Sequence, residues 1–245
     1  MSRIRILASV AVAVLALSAV WSASSAASTP VLSVNGNLPV YLSGANLEEF
    51  ESELYLRTNA HYYCDKGTVE TLSVHLIEEE ESTEFLLKPE FSDCVFWGGS
   101  YTATVENKDD CSFRFVLEGY NEEGDAEAAV QLDCGPEEEE PEGIHVFANL
   151  EGEEHCGATL DPGQTFEGSA TLETIGSEQT GIRIEFYNVG WAFSLDEENN
   201  GLVCAVGGYF ESPGVYYTGS YDIYGYEWSD GEPGEKAEIS IAEGN

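Results

Sequence analysis

Cys111-Ser112-Phe113-Arg114-Phe115-Val116-Leu117 and Ala126-Glu127-Ala128-Ala129-Val130-Gln131-Leu132-Asp133-Cys134 decide how the chain folds. In both segments an apolar residue stands at every second position, which places these residues on one face of an extended strand. The stretch between them, 119–125, is rich in turn formers. Antiparallel pairing in which residue numbers sum to 245 sets Cys111 opposite Cys134, Phe113 opposite Leu132, Phe115 opposite Val130 and Leu117 opposite Ala128. A slip of one residue would turn one apolar set toward water. The facing cysteines then occupy a non-hydrogen-bonded position, where Cα atoms come close enough for a disulfide.

Immediately after this hairpin comes Gly135-Pro136-Glu137-Glu138-Glu139-Glu140-Pro141-Glu142-Gly143. Prolines and like charges keep such a stretch extended. Cys64, Cys94, Cys111 and Cys134 precede it, and Cys156 and Cys204 follow it. If each side closes its own bridges, Cys64 is left for Cys94 and Cys156 for Cys204. The rest of the chain also alternates with period two. Strands are expected at 31–34, 40–43, 61–64, 69–77, 84–87, 94–97 and 100–106 before the acidic stretch. After it they are expected at 144–150, 155–160, 166–174, 182–186, 191–195, 202–206, 215–224 and 237–241. The segment 46–56 reads as strand or irregular. About a hundred residues and seven or so short strands per side suit an antiparallel sandwich. The expected architecture is all-β, with two immunoglobulin-like β-sandwich halves, 28–135 and 144–245, joined by an acidic hinge at 136–143. One continuous sandwich with the hinge as a surface loop is the alternative.

The chain opens with Met1-Ser2-Arg3-Ile4-Arg5, an apolar run to Val20 and the small residues Ala23-Ser24-Ser25-Ala26-Ala27. This is the pattern of a secretory signal peptide over residues 1–27. The apolar run is shorter than the ~20 residues a membrane span needs. A secreted protein, extracellular or associated with the cell surface, is therefore expected, without membrane insertion. Six cysteines in such a chain read as three disulfides.

The formal net charge is −37, from 46 acidic and 9 basic residues, and it becomes −39 once Arg3 and Arg5 leave with the leader. Nucleic-acid binding needs phosphate-neutralising Lys and Arg, so no nucleic-acid partner is expected. Anionic membrane surfaces are excluded on the same ground. Such a charge either keeps a secreted protein soluble or selects a cationic partner.

The cysteine neighbourhoods form a pattern: Tyr63-Cys64, Phe91-Ser92-Asp93-Cys94, Cys111-Ser112-Phe113-Arg114-Phe115, Leu132-Asp133-Cys134-Gly135-Pro136, Glu154-His155-Cys156, Leu202-Val203-Cys204 and Tyr217-Thr218-Gly219-Ser220-Tyr221. This resembles an uncharacterised family of secreted six-cysteine β-rich proteins of high-GC Gram-positive bacteria. The resemblance covers nearly the whole mature chain. It implies an all-β secreted fold and carries no activity.

Motifs for catalysis are sparse. No Gly-x-Ser-x-Gly elbow occurs. His61, His75, His145 and His155 are scattered, and neither His-Glu-x-x-His nor Cys-x-x-Cys appears. An extracellular carboxylate-dependent hydrolase needs only two carboxylates, but 46 acidic residues make any such pair unspecific. No catalytic residue is assigned, and no enzymatic activity or cofactor is expected. Asp196-x-Glu198-x-Asn200-Gly201 resembles the first half of a calcium loop. Its twelfth position is Gly207 rather than the bidentate Glu, so a plain Asn-Gly hairpin turn is the better reading.

The sharpest binding signal is aromatic. Tyr216, Asp222, Tyr224, Tyr226 and Trp228 share the even positions of the last long segment. On one sheet face they would offer rings for stacking on sugars and a carboxylate for their hydroxyls. Core-edge packing is the competing reading of the same rings. The function expected is a secreted non-catalytic module, binding or structural, with an unknown extracellular or cell-envelope partner. A calcium-assisted carbohydrate-binding module is one alternative, and the hydrolase is another.

Overall fold

A computed structural model describes residues 28–47, 52–56, 60–96, 101–107, 109–134, 143–151, 153–176, 180–191, 193–195 and 215–244. The expected leader, most of the hinge, the loop with Asp196, Glu198 and Asn200, and Cys204 lie outside these residues. The described chain is all-β. Its strands in order are β1 (Pro30–Asn35), β2 (Val40–Asn46), β3 (Ser52–Leu56), β4 (Ala60–Glu70), β5 (Glu81–Ser82), β6 (Glu84–Phe96), β7 (Tyr101–Asn107) and β8 (Ser112–Tyr120). They continue with β9 (Ala126–Asp133), β10 (Ile144–Leu150), β11 (Glu153–Leu160), β12 (Thr165–Ile175), β13 (Gly181–Trp191), β14 (Phe193–Leu195), β15 (Val215–Ser229) and β16 (Glu232–Glu243).

The β8–β9 hairpin has the register that its alternation predicts. Phe113 faces Leu132, Phe115 faces Val130 and Leu117 faces Ala128. Cys111 is bonded to Cys134 with Cα atoms 4.0 Å apart. The turn is held by the Asn121 side chain, whose Oδ1 accepts the N–H groups of Glu123 and Asp125 at 2.9 Å each. This is a local side-chain substitute for a backbone turn bond. Cys64 and Cys94 stand opposite each other in the β4–β6 pair and are bonded, again with Cα atoms 4.0 Å apart.

Two local expectations are corrected. The strand expected over 69–77 ends at Glu70, because Thr71 turns inward and its Oγ1 accepts the Leu42 N–H at 3.0 Å. The chain then folds back through a Leu72–His75 turn, and Ile77 meets only Val40, exchanging both backbone bonds with it. The segments expected at 84–87 and 94–97 belong to one strand, β6, which runs straight through Pro89 opposite Val69.

The larger correction concerns the halves. Starting at β4, antiparallel pairs lead through β6, β8, β9, β12, β13 and β15, and from β15 back to β4 by way of β2 and β3. The sheet therefore closes on itself, with one block of strands from before the acidic stretch (β2 and β3, β4, β6, β8, β9) and one from after it (β12, β13, β15) joined at β9–β12 and at β15–β2 and β15–β3. From β6 a flank of β7, β10, β11 and β14 extends outward, and from β15 a second flank of β16, β1 and β5. Strands from before 135 and after 143 also pair directly in β7–β10, β9–β12 and β1–β16. The two separate immunoglobulin-like halves are thus not what the pairing builds.

The physical reason is the core. The buried faces of β8 and β9 need a cover, and β12, β13 and β15 supply it. Phe113 meets Phe166 and Phe186, Phe115 meets Phe186, and Phe91 meets Tyr217, with ring centroids 5.8–6.2 Å apart. One cluster of buried side chains runs from Leu32 and Val34 to Ile239. Each such side chain contributes roughly 1.5–3 kcal/mol on burial, so an isolated half would leave several of these contributions unrealised. An eight-position closed sheet is about as wide as side chains can fill, which matches an interior packed with rings.

Candidate functional site

β15 places the candidate face. Its odd residues Tyr217, Tyr221 and Ile223 are buried in the interior, and the hydroxyls of Tyr217 and Tyr221 bond to each other there. Its even residues point the other way. Asp222, Tyr224, Tyr226 and Trp228 are all partly exposed on the outer face. Period-two geometry alone separates the two sets. Tyr216 belongs to β15 opposite Tyr55 of β3, and its side chain lies outside the described residues.

The structure divides the expected set. Asp222 is committed to Arg183 of β13, whose Nε donates to Oδ1 at 2.8 Å and Nη2 to Oδ2 at 3.1 Å. Arg183 also lies 3.4 Å from Glu173. The Asp222 hydrogen bond holds the guanidinium above its ordinary pKa range. The carboxylate expected to accept sugar hydroxyls is therefore already occupied. Tyr224 covers Gly181, where an added Cβ would fall 2.7 Å from the ring and 2.6 Å from the Ile223 carbonyl oxygen. An aromatic ring over a strand glycine restores the packing that the missing side chain gives up.

Farther along β15 the rings do gather. Tyr226 pairs in register with Tyr41 of β2 on one side and Lys236 of β16 on the other. Trp228 stacks against Tyr41 with ring centroids 5.4 Å apart and planes inclined by 29°. Its backbone N–H donates to the Pro39 carbonyl at 2.8 Å, just past the cis Leu38–Pro39 bond. Glu227 fixes the preceding turn, because its Oε1 accepts from Asn37 N at 3.0 Å and Asn37 Nδ2 at 2.8 Å. These bonds favour the charged carboxylate and lower its pKa.

The Tyr41 hydroxyl donates to Glu70 of β4. Partial burial first, and then the hydrogen bond and charge of Glu70, raise the phenol well above its ordinary value. Glu90 of β6 adds a smaller push of the same sign. The face is thus a pair of stacked rings with a third ring beside them and the Glu70 carboxylate bonded to one of the stacked pair.

Among the described residues, no group of three or more His, Cys, Asp or Glu gathers as a metal-ligand set. Asp196, Glu198 and Asn200, the weak calcium candidates, lie outside the described residues. So does the Cys156–Cys204 bridge, for which only the backbone of Cys156 in β11 is placed. No helix among the described residues is long and apolar enough to cross a membrane.

Tyr41, Glu70 and Arg183 were not among the sequence candidates. Tyr41 carried one legible signal, standing between Val40 and Leu42 on the opposite side of its short strand. Nothing local ties it to a residue 187 positions away. No family model, no curated protein and no solved structure matches this chain.

Proposed function

We propose that this chain is a secreted, non-catalytic binding or structural module whose ligand face is the outer side of β15 and β2. The observation that carries the reading is the Tyr41–Trp228 stack, which keeps two partly exposed rings together on a sheet face with Tyr226 next to them. A folded sheet gains from hiding such rings, so rings left at the surface in contact with one another mark a recognition surface. The leader-like N-terminus and the two disulfides support an oxidising compartment outside the cytoplasm. The six-cysteine resemblance belongs to the same proposal and rests on motif spacing.

A carboxylate-dependent hydrolase draws no support from this face, since Asp222 and Glu70 are each bound to a neighbouring side chain. A neutral glycan, with or without calcium, is one class of ligand that the rings suit. The face is tested by titrating the mature chain with neutral oligosaccharides plus and minus calcium, a basic peptide and an acidic peptide. The expected result is saturable binding of one class that Tyr226→Ala with Trp228→Ala abolishes while the melting curve stays cooperative. Binding that survives the double substitution, or no binding to any class, would overturn the reading.

A further inference from the structure

We propose that this face binds an extended cationic chain, a basic peptide segment of a partner protein, by cation–π contact at Tyr41, Tyr226 and Trp228 and by charge at the Glu70 carboxylate bonded to Tyr41. The proposal rests on the binding-face reading above and names its ligand class.

Trp and Tyr faces attract ammonium and guanidinium groups through the negative potential over the ring. A phenol that donates its proton into a hydrogen bond with a carboxylate is more electron-rich than a free one, so Glu70 strengthens the Tyr41 ring as a cation acceptor. The Glu70 carboxylate bonded to the Tyr41 hydroxyl places a negative charge directly beside the stacked rings.

Charge complementarity selects this occupant. The chain carries 46 acidic residues against 9 basic ones. Several of those basic residues are already paired within the chain: Lys66 with Asp93, Lys88 with Glu90 and Asp110, Arg114 with Glu84, and Arg183 with Asp222 and Glu173. Lys236 stands across from Tyr226 in register and is engaged in an interaction of its own. The surplus is thus strongly acidic, and a field of that sign draws cations to the surface and repels anions.

The dimensions select a chain over a small ion. Tyr226 and Trp228 stand two residues apart on β15, about 7 Å along the strand, and Tyr41 lies across from Tyr226, so the rings match successive same-side residues of one extended peptide. A neutral sugar polymer fits the rings less fully, because each Asp222 oxygen already accepts a hydrogen bond from Arg183 and its charge is matched by that guanidinium.

The test uses the mature chain with hexa-arginine, hexalysine, acetylated hexalysine, hexaglutamate and cellohexaose, read by tryptophan fluorescence and calorimetry at about 0.15 M salt. Hexa-arginine and hexalysine should bind saturably and perturb Trp228, while the acetylated peptide and hexaglutamate should not bind. Trp228→Phe, which keeps a ring on Tyr41, should weaken binding several-fold. Glu70→Gln should do the same, and Tyr226→Ala with Trp228→Ala should weaken it at least tenfold. Cationic binding equal in all variants would mean unspecific attraction to an acidic surface and would overturn the proposal. Binding of cellohexaose but not the cationic peptides, lost in the double variant, would overturn the cationic ligand and leave the binding face standing. No ring-dependent binding of any probe would overturn both.

Discussion

Arg183 and Asp222 grip each other across β13 and β15 through two hydrogen bonds of 2.8 and 3.1 Å. The pair is mostly shielded from water, with 28% and 19% of the side chains exposed. It therefore does structural work on a face that otherwise suits binding. Arg183→Ala leaves the Asp222 carboxylate without its donors and should cost about 1–3 kcal/mol. Asp222→Asn keeps one acceptor and should cost less. Denaturant unfolding of the two variants at neutral pH checks the order.

Gly44 lies where β2 meets β15. A Cβ there would fall 2.4 Å from the Asp222 carbonyl oxygen and 2.8 Å from Ile223 Cγ1. Backbone, not a flexible side chain, stands in the way, so Gly44→Ala must push the two strands apart. The expected loss is roughly 1–3 kcal/mol, as for other overpacked interiors. Near-ultraviolet circular dichroism should also weaken as the Tyr41–Trp228 stack loosens.

The two disulfides close loops with sequence separations of 30 and 23 residues. In the chain-entropy account each contributes about 3–4 kcal/mol by restricting the unfolded chain. Cys111→Ala with Cys134→Ala should lower the denaturant midpoint accordingly and raise the slope, because the unlinked denatured chain exposes more surface. Peptide mapping of the unreduced protein should also recover a fragment linking Cys156 to Cys204, and free thiols at both would contradict the third bridge.

Alkali should unfold the protein through its tyrosines. Burial is the leading cause that raises Tyr41, Tyr62 and Tyr120 above the ordinary phenol value, and the unfolded chain gives up those protons first. Their contribution is complete below about pH 10 and is lost as pH rises through that value toward the folded pKa values. Stability measured by denaturant should hold up to about pH 10 and fall beyond it. Tyr62→Phe should make the fall shallower, and an unchanged slope would show that Tyr62 ionises as freely in the folded protein as in the unfolded one.

The hairpin from Cys111 to Cys134 was legible because everything it needs is local: alternation, a turn and two cysteines at matching register. The Cys64–Cys94 bridge followed by elimination once Cys111 was matched to Cys134, and the β4–β6 register around it came only with the structure. The closure of the sheet was not legible, because it depends on β2 and β3 meeting β15, some 160–190 residues later. The acidic stretch read as a divider on composition, yet the apolar faces on its two sides complete each other. At the face itself, even spacing identified Tyr224, Tyr226 and Trp228 as neighbours. That Arg183 would claim Asp222, and that Tyr41 would join Trp228, followed from pairings no local pattern carries.

The return of β15 to β2 and β3 also sets the order in which the molecule can be made. Residues 40–46 and 52–56 emerge early and wait for 215–229 before their outer backbone bonds find partners. A chain threaded outward from its N-terminus passes nearly all of its length before the sheet can close. The hairpins stapled by Cys64–Cys94 and Cys111–Cys134 need only nearby residues and can form during that wait. Long-range pairing of this kind is intrinsically slow. Maturation should therefore end with a single late step in which the segment from Val215 onward, about the last eighth of the chain, completes the wall, creating the Tyr41–Trp228 surface at the same moment.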